Sequence, residues 1–400
     1  MEGSVTIYRL MLCICVLSGT LALSLHPAAA QDDSKLARQI TEVTAGVQPG
    51  DVVVVFGGKH TLPQMEAIAI EAQKAGGQVN MMINTDRVAR SYWTEVDEEY
   101  LKQVPQYWTP WLGEVDVWIG LPAIEDPPKA FGDIPPERFA LGSEGSQMFN
   151  DILNSTPLRG MYVAYPLEAD ARTNGISFDT WAEMQWAAIT ADYPAISETG
   201  KALAVKLHGA QEVKITSPAG TDLTFSMGDH RVFVDDGIVT PDEAGSELFL
   251  ERWTNLPSGL VFAAVNETSA NGKVVVPTDR CQFKPMSDVR FEVRDGDIEG
   301  FEADENGSCF ENAMAAYEGP ATRLGSFSIG LNPKLKVLED GDADYRPDEA
   351  AGMVELSFGD NQLLGGSNKT TGGFGFSITN ATVTVDGEVV VRDGELLVGG

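Results

Sequence analysis

The spacing of apolar and polar residues changes about halfway along the chain. In the first half, short apolar runs at 51–58, 78–83, 115–121 and 160–166 alternate with polar and helical stretches. The helical stretches include 61–77 and 180–207, where the apolar residues recur at helical spacing. Continuous apolar strands separated by helices are typical of a parallel sheet that is covered on both faces. This half therefore predicts an α/β domain with a parallel sheet.

The second half has a period of two, with apolar and polar residues alternating along short segments. The predicted strands lie at 213–218, 221–227, 230–236, 289–296, 352–359, 382–387 and 389–394. Alternation that is interrupted by glycine-containing turns is typical of antiparallel sheets. We therefore expect a mainly antiparallel β domain at 206–400, after a signal peptide at 1–30 and the α/β domain at 31–205.

The first 30 residues have the pattern of a secretory signal peptide. Arg9 precedes an uncharged apolar run at 10–25, and small residues end the segment at Ala30. An uncleaved membrane anchor is the alternative, but the run is short for a spanning helix. We expect cleavage after Ala30, a secreted or periplasmic protein, and no membrane attachment afterwards.

The cysteines support an oxidising compartment. Cys13 and Cys15 lie within the signal peptide, so the mature chain keeps Cys281 and Cys309. An even pair in an exported protein predicts one disulfide, and two unpaired buried thiols are the alternative.

Charge and motifs exclude several classes of function. The net charge of −31 argues against a nucleic-acid partner, because phosphate backbones would be repelled. The chain has no HExxH, CxxC, GxGxxG or GxSxG motif. FGGKHT at 56–61 could bind an anion at a helix N-terminus, although a simple strand-to-helix turn is the favoured interpretation. Composition and spacing alone therefore indicate no active site.

Five segments of the second half carry a family resemblance. They are ITSPAGTDLTFSMGDHRVFVDDG, NLPSGLVFAAVNETSANG, SFSIGLNP, GMVELSFGDN and GGSNKTTGGFGFS. In order and spacing they resemble the aminopeptidase T family, which are metal-dependent exopeptidases with leucyl aminopeptidase-like activity. The first half is similar to that family more loosely, through QPGDVVVVFGG and KAGGQV. The resemblance implies the two-domain fold of that family and a homodimer.

The resemblance also implies a pair of divalent metal ions, such as zinc or cobalt, in the second domain. The positions that align with the family's metal ligands are Leu260, Ser326, Glu355, Gln362, Gly373 and Gly375. Glu355 is the one replacement that could still bind a metal. We therefore predict no cofactor for this chain.

Two functions follow from the resemblance. We expect an exported, catalytically inactive protein that binds a peptide or small ligand in the interdomain cleft. The alternative is an active leucyl aminopeptidase-like metallo-exopeptidase that releases N-terminal residues. Its metal site would then be relocated to Glu355, Asp360, Glu267 and His230. A purely structural protein without a ligand is a third hypothesis.

Overall fold

The computed structural model describes residues 33–398, apart from 104–105, 136–137, 139–140, 142–151, 154, 282–283 and 340–342. The predicted signal peptide, with Cys13 and Cys15, lies outside the described residues. None of the helices in the described part of the chain is long and apolar enough to cross a bilayer.

The chain divides into two compact units that each combine separate segments. The first unit ends at Thr190 and takes in Gly237–Pro257 as well. The second contains Ala191–Asp236 and continues from Ser258 to the end of the chain. The predicted domain boundary between residues 205 and 206 therefore differs from the observed division, which has three crossing points between Thr190 and Ser258. The segment 237–257 returns to the first unit because its strand pairs there, alongside a strand that lies about 90 residues earlier.

The first unit contains a five-stranded parallel sheet in the order β2-β1-β3-β4-β8. Its strands are β1 (Val52–Gly58), β2 (Gln78–Asn84), β3 (Val117–Gly120), β4 (Arg159–Val163) and β8 (Trp253–Leu256). The central strand β3 is buried along its whole length, as expected for a parallel sheet with both faces covered. The predicted parallel α/β architecture is confirmed.

Short helices connect the strands of this unit. They are α1 (Asp33–Arg38), a π-helical turn (Gln39–Thr44), α2 (Leu62–Lys74), α3 (Asp86–Glu95), α4 (Glu98–Leu101), α5 (Trp108–Leu112), α6 (Pro127–Phe131), α7 (Glu168–Thr173), α8 (Phe178–Ile189) and, in the returning segment, α10 (Pro241–Ala244).

The stretch predicted as one helix at 180–207 forms two helices. The second helix, α9 (Tyr193–Leu207), belongs to the second unit. It begins where the Asp192 carboxylate accepts a hydrogen bond from the Ala195 backbone N–H, at 3.2 Å. Pro194 occupies its first turn, where a missing N–H costs nothing. These helix-start signals separate α9 from α8.

The second unit contains two antiparallel sheets. The eight-stranded sheet has the order β12-β11-β10-β6-β5-β16-β17-β18, and the five-stranded sheet has the order β15-β14-β13-β9-β7. The strands are β5 (Val213–Thr216), β6 (Asp222–Phe225), β7 (Val232–Asp235), β9 (Leu260–Ala264), β10 (Asn271–Cys281), β11 (Lys284–Arg294), β12 (Asp297–Glu302), β13 (Leu324–Gly330), β14 (Val354–Gly359), β15 (Gly373–Ile378), β16 (Thr382–Val385), β17 (Glu388–Arg392) and β18 (Glu395–Leu396). This confirms the predicted antiparallel β architecture.

Aromatic side chains join the two sheets of the second unit face to face. Phe327 on the five-stranded sheet contacts Phe225 of the larger sheet, with ring centroids 5.3 Å apart. Phe358 and Phe376 lie 5.7 and 4.9 Å from Phe291 of the larger sheet. This inner face forms a packed core of the kind seen in two-sheet proteins. The opposite side of the five-stranded sheet is called the outer face below.

A disulfide joins Cys281, at the end of β10, to Cys309 in helix α11 (Gly307–Ala316). The Cys281 side chain is fully buried. The helix also packs its Phe310 ring 5.2 Å from Phe374 and 5.6 Å from Phe376, so the disulfide fixes α11 beside the aromatic core.

We expect Cys309→Ser to lower the free energy of unfolding by about 3 kcal/mol, because the cross-link no longer restricts the unfolded chain. Guanidinium unfolding followed by circular dichroism measures this loss. The reduced wild-type protein is the matched control and should be destabilised to a similar extent. A variant as stable as the oxidised wild type would contradict the prediction.

Candidate functional site

The outer face of the five-stranded sheet collects five of the six positions that the sequence singled out. In antiparallel strands, directly paired residues and residues two apart on one strand share a face. The pairs that link the five positions are Leu260 with Gly330, Ser328 with Glu355, Ser326 with Ser357, Ser357 with Gly375, and Gly359 with Gly373. The register therefore places Leu260, Ser326, Glu355, Gly373 and Gly375 together on the outer face.

One line of side chains crosses all five strands of this face. The strand register pairs its neighbours directly, in the order Ser377, Glu355, Ser328, Phe262 and Phe233. This line is called the Glu355 row below. Ser377, Glu355 and Phe262 are partly exposed, whereas Ser328 and Phe233 are nearly buried. The row is therefore polar at one end, aromatic at the other, and partly open to solvent.

The two ends of the Glu355 row have different contacts. At the polar end, the Ser357 hydroxyl donates a hydrogen bond of 2.8 Å to the Glu355 carboxylate. At the aromatic end, the rings of Phe233 and Phe262 stack with centroids 5.5 Å apart. The Arg231 guanidinium lies 5.8 Å from the Phe233 ring centroid, which is a cation–π distance. The chain therefore supplies its own cation at the aromatic edge.

A tightly bonded turn positions Leu260 at the start of β9. Gly259 has φ +129°, and a Cβ atom added there would lie 2.8 Å from the Asn332 backbone nitrogen. The buried Asn332 side chain donates to the Ser258 carbonyl at 2.8 Å, and the Ser258 hydroxyl donates to the Asp235 carbonyl at 2.9 Å. This turn fixes the backbone and leaves the Leu260 side chain 5 % exposed.

The sixth position, Gln362, lies outside the strands of the outer face. It is an exposed residue in the 3₁₀ turn Gln362–Leu364, which follows β14. The preceding residue, Asn361, is buried and donates through Nδ2 to the Gly325 carbonyl at 2.9 Å and to the Glu267 carboxylate at 3.1 Å. The structure therefore brings together five of the six positions that the sequence singled out, and Gln362 is the exception.

Glu267 acts as an anchor for this turn. Its carboxylate accepts hydrogen bonds from the Ser367 backbone N–H at 2.6 Å, from the Ser367 hydroxyl at 3.0 Å and from Asn361. Burial disfavours the charge, but the hydrogen bonds outweigh that effect and hold the pKa of Glu267 below its ordinary value. The carboxylate is thus engaged in holding the loop.

We expect Glu267→Gln to lower the free energy of unfolding at neutral pH by about 1 kcal/mol, after allowance for solvent screening. Because the folded-state pKa is lowered, this stabilisation is present above the unfolded pKa and is lost as pH falls through the folded pKa. Unfolding curves at several pH values should therefore converge in acid. Glu395→Gln removes an exposed carboxylate of the larger sheet and is the control. A difference between wild type and Glu267→Gln that persists unchanged in acid would refute this role.

The four residues proposed for a relocated metal site do not form one. The Asp360 carboxylate accepts from the backbone N–H groups of Gln362 and Thr370, at 3.2 and 3.1 Å, while burial raises its pKa. Among the described residues, no group of three or more histidine, cysteine, aspartate or glutamate side chains is placed to hold a metal ion. The hypothesis of a centre built from Glu355, Asp360, Glu267 and His230 is therefore wrong for this part of the chain.

The FGGKHT segment of the first unit forms a closed turn. The Gly58 N–H donates to the Pro122 carbonyl at 3.0 Å and to the Thr61 hydroxyl at 3.1 Å, so this donor already has protein partners. Burial lowers the pKa of His60, which follows β1, to about 4. The imidazole is thus neutral at physiological pH, and the simple-turn interpretation describes this segment.

Several residues of the outer face were not singled out by sequence reasoning. They are Ser328, Ser357, Ser377, Phe262 and Phe233. A signal was present, because polar or small residues occupy every second position of SFSIG, ELS and GFGFS. The alternation indicates one face of a strand, but pairing between strands is needed to place the three segments side by side.

Comparison with known proteins identifies a family for the second half of the chain. The family model described as NicX: 2,5-dihydroxypyridine 5,6-dioxygenase matches residues 191–398, more than half of the chain. The chain belongs to this family. A curated member from Pseudomonas putida, a 2,5-dihydroxypyridine 5,6-dioxygenase, is 26% identical over 202 residues. That match covers 48% of this chain and 55% of the relative, so the chain spans about half the length of the curated relative.

Solved structures extend the fold comparison to both units. AmpT from Thermus thermophilus has a TM-score of 0.72 at 16% identity, covering 92% of this chain and 99% of that one. The 2,5-dihydroxypyridine dioxygenase from Pseudomonas putida has a TM-score of 0.58 at 17% identity, covering 91% and 96%. The aminopeptidase T resemblance is confirmed for the fold. The family model and the curated relative, however, are both named as 2,5-dihydroxypyridine 5,6-dioxygenase, so the likeness to aminopeptidase T is one of fold.

Proposed function

We propose that this chain is a non-catalytic member of the NicX family that binds a small ligand on the outer face of its five-stranded sheet. The observation that carries the proposal is the content of that face. Five positions that align with the metal ligands of the aminopeptidase T family lie together on this face. They hold Leu260, Ser326, Glu355, Gly373 and Gly375. Among these five, Glu355 is the one side chain that binds metals well.

Both chemistries known for similar proteins would need a fuller set of ligands. A two-metal peptidase centre requires several carboxylate and imidazole groups at fixed geometry. A non-haem iron oxygenase centre typically uses two histidines and one carboxylate. The described residues of the second unit include two histidines, His208 and His230, and neither belongs to a group that could hold a metal. The described residues fit neither centre.

The turns around the face favour binding over simple loss of function. Hydrogen bonds of Gly259, Asn332 and Asn361 tie down the loops at the ends of β9, β13 and β14. Such turns present the neighbouring side chains in fixed positions, which lowers the entropic cost of binding. A face with ordered edges and partly exposed hydroxyl, carboxylate and aromatic groups is suited to a small molecule.

Metal analysis and two assays test the proposal. The purified protein is supplied with iron(II), zinc, cobalt or manganese, dialysed, and analysed by inductively coupled plasma mass spectrometry. Oxygen uptake with 2,5-dihydroxypyridine and hydrolysis of leucyl-p-nitroanilide are measured on the same samples. We expect substoichiometric metal and no turnover. Stoichiometric metal together with activity that chelators abolish would refute the proposal in favour of an enzyme.

We further propose that the protein is exported and forms a homodimer. The support for export is the signal-peptide pattern that ends at Ala30, and the support for a dimer is the aminopeptidase T resemblance. Intact mass of the protein from its native host should correspond to a chain that begins at Gln31. Light scattering should give twice the mass of one chain, and a monomer mass would exclude the dimer.

A further inference from the structure

Strand β2 forms an open edge of the parallel sheet in the first unit. It pairs with β1 alone among the described strands, and none of its residues is buried. An open edge presents a row of backbone N–H and C=O groups, and proteins commonly protect such an edge with charged residues or proline. The sequence of β2 is QVNMMIN, which contains neither. This edge is therefore unprotected against pairing with a further strand.

The end strands of the eight-stranded sheet differ from β2 in charge. Strand β12 carries Asp297, Glu299 and Glu302, and β18 carries Glu395. A second copy of a chain with a net charge of −31 is repelled wherever acidic residues meet acidic residues. The uncharged β2 is free of that repulsion, which favours it as a contact between two copies of this chain.

The backbone groups that β2 turns away from β1 belong to alternate residues. The Gln78 N–H donates to the Asp51 carbonyl at 2.7 Å, on the β1 side. Because successive residues direct these groups to opposite edges of a strand, Val79, Met81 and Ile83 direct theirs outwards. An antiparallel copy with Met81 opposite Met81 places Val79 of each copy opposite Ile83 of the other. All three residues then face a bonding partner, so β2 is complementary to itself about a two-fold axis.

The same register brings apolar side chains together. Val79 and Met81 are partly exposed, and Ile83 is 49 % exposed. The three side chains share one face of the sheet, since residues two apart on a strand point the same way. In the two-fold arrangement each of them packs against an apolar side chain of the other copy. This match favours a second copy of the chain over an unrelated strand.

Helices cover both faces of the sheet beside β2, which enlarges the contact. A Cβ atom added at Gly57, the partner of Ile83 in the sheet, would lie 2.9 Å from Met65 of α2. On the other face, Ala89 of α3 belongs to the core cluster against which Met82 packs. Such a three-layer edge measures about 23 Å along the strand and about 30 Å across the layers, or about 700 Å² per copy. Two copies would bury about 1,400 Å², which lies in the range of stable interfaces.

We propose that the β2 edge is a homodimer interface, in which β2 pairs antiparallel with β2 of a second copy. The two five-stranded sheets then continue into one another across the two-fold axis. This inference rests on the homodimer proposed above and assigns its interface.

Charge variants test the interface on the purified full-length mature protein. Sedimentation equilibrium measures the dissociation constant of the dimer, and circular dichroism checks the fold of each variant. Ile83→Lys should weaken dimerisation about a hundredfold, because at two symmetric positions a charge would face Val79 of the other copy. Combining it with Val79→Glu should restore most of the affinity, since opposite charges then face each other. Val205→Lys makes the same charge change on α9, where Val205 is 79 % exposed, and should change nothing.

A cross-link tests the register directly. Directly opposite residues in a bonded antiparallel pair have Cα atoms about 5.5 Å apart, which suits a disulfide. Cys281 and Cys309 are already joined to each other, so Met81→Cys introduces a new thiol at the two-fold axis. Mild oxidation should convert this variant to a covalent dimer on a non-reducing gel, whereas Val205→Cys should stay monomeric on the same gel.

The outcomes separate the interface from the proposals beside it. A dimer that persists in Ile83→Lys, or that gives no cross-link in Met81→Cys, would overturn the β2 interface and leave the homodimer standing. Equal weakening by Ile83→Lys and Val205→Lys would also overturn it, because the effect would then come from net charge. A wild-type monomer would overturn both the interface and the homodimer. Metal-dependent turnover in a protein that dimerises through β2 would refute the non-catalytic function alone.

Discussion

Replacing Leu260 with glutamate is expected to destabilise the protein by about 4 kcal/mol and to create no metal site. Leu260 is 5 % exposed, so the new carboxylate would enter a buried position. It would also lie directly across the strand pair from Asp235, and like charges in that arrangement repel. One restored carboxylate leaves the outer face without the further ligands that a metal centre needs.

Leu260→Gln is the matched control, since it has the same shape without the charge. Burial and Asp235 would raise the pKa of the new glutamate, so the folded protein would bind its proton more readily than the unfolded chain. Its deficit relative to Leu260→Gln should therefore be full at neutral pH and disappear as pH falls towards about 4.3, the ordinary pKa of glutamate. Chemical unfolding at several pH values measures this. A Leu260→Glu protein that gains stoichiometric metal and peptidase activity would show that the other ligands are present after all.

Replacing Gly259 with alanine is expected to lower the free energy of unfolding by about 3 to 4 kcal/mol. The positive φ of +129° is unfavourable for any residue with a side chain, and the added Cβ would lie 2.8 Å from the Asn332 backbone nitrogen. Asn332 is fully buried and bonded to Ser258, so it cannot move aside cheaply. The backbone of β9 should therefore shift.

Gly209→Ala is the control for this substitution. Gly209 also has a positive φ, of +70°, but an added Cβ there would have no neighbour within 4 Å. Its cost should be about 1 kcal/mol, from backbone strain alone. Thermal and guanidinium unfolding compare the two variants directly. Equal destabilisation of both would mean that the contact with Asn332 contributes nothing.

The architecture follows from periodicity, and its exceptions have specific physical causes. Continuous apolar runs predict β1, β3 and β4 because strands that are covered on both faces have no polar side. The similar run at 78–83 also forms a strand, β2, but at the edge of the sheet, where none of its residues is buried. The same reasoning misses β8, a short strand whose pairing with β4 depends on the path of the whole segment 237–257. It also merges α8 and α9, because the helical spacing continues across the Asp192 cap.

The candidate site was predicted residue by residue but not as a surface. Alignment with a related family located Leu260, Ser326, Glu355, Gly373 and Gly375, and the register then placed them on one face. Their neighbours on that face come from strands that are distant in sequence, so no local pattern reveals them. Residue type alone also could not show that Glu267 holds a loop, since its partners lie about 100 residues away.

Metal content is the measurement that tests the central claim most directly. The protein is purified from cells grown with added iron, zinc, cobalt and manganese, and metal per chain is determined before and after incubation with a chelator. The account predicts substoichiometric metal in both samples, with no oxygen uptake on 2,5-dihydroxypyridine and no hydrolysis of leucyl-p-nitroanilide. One or two tightly bound metal ions per chain, with turnover that disappears on chelation and returns on reloading, would contradict it.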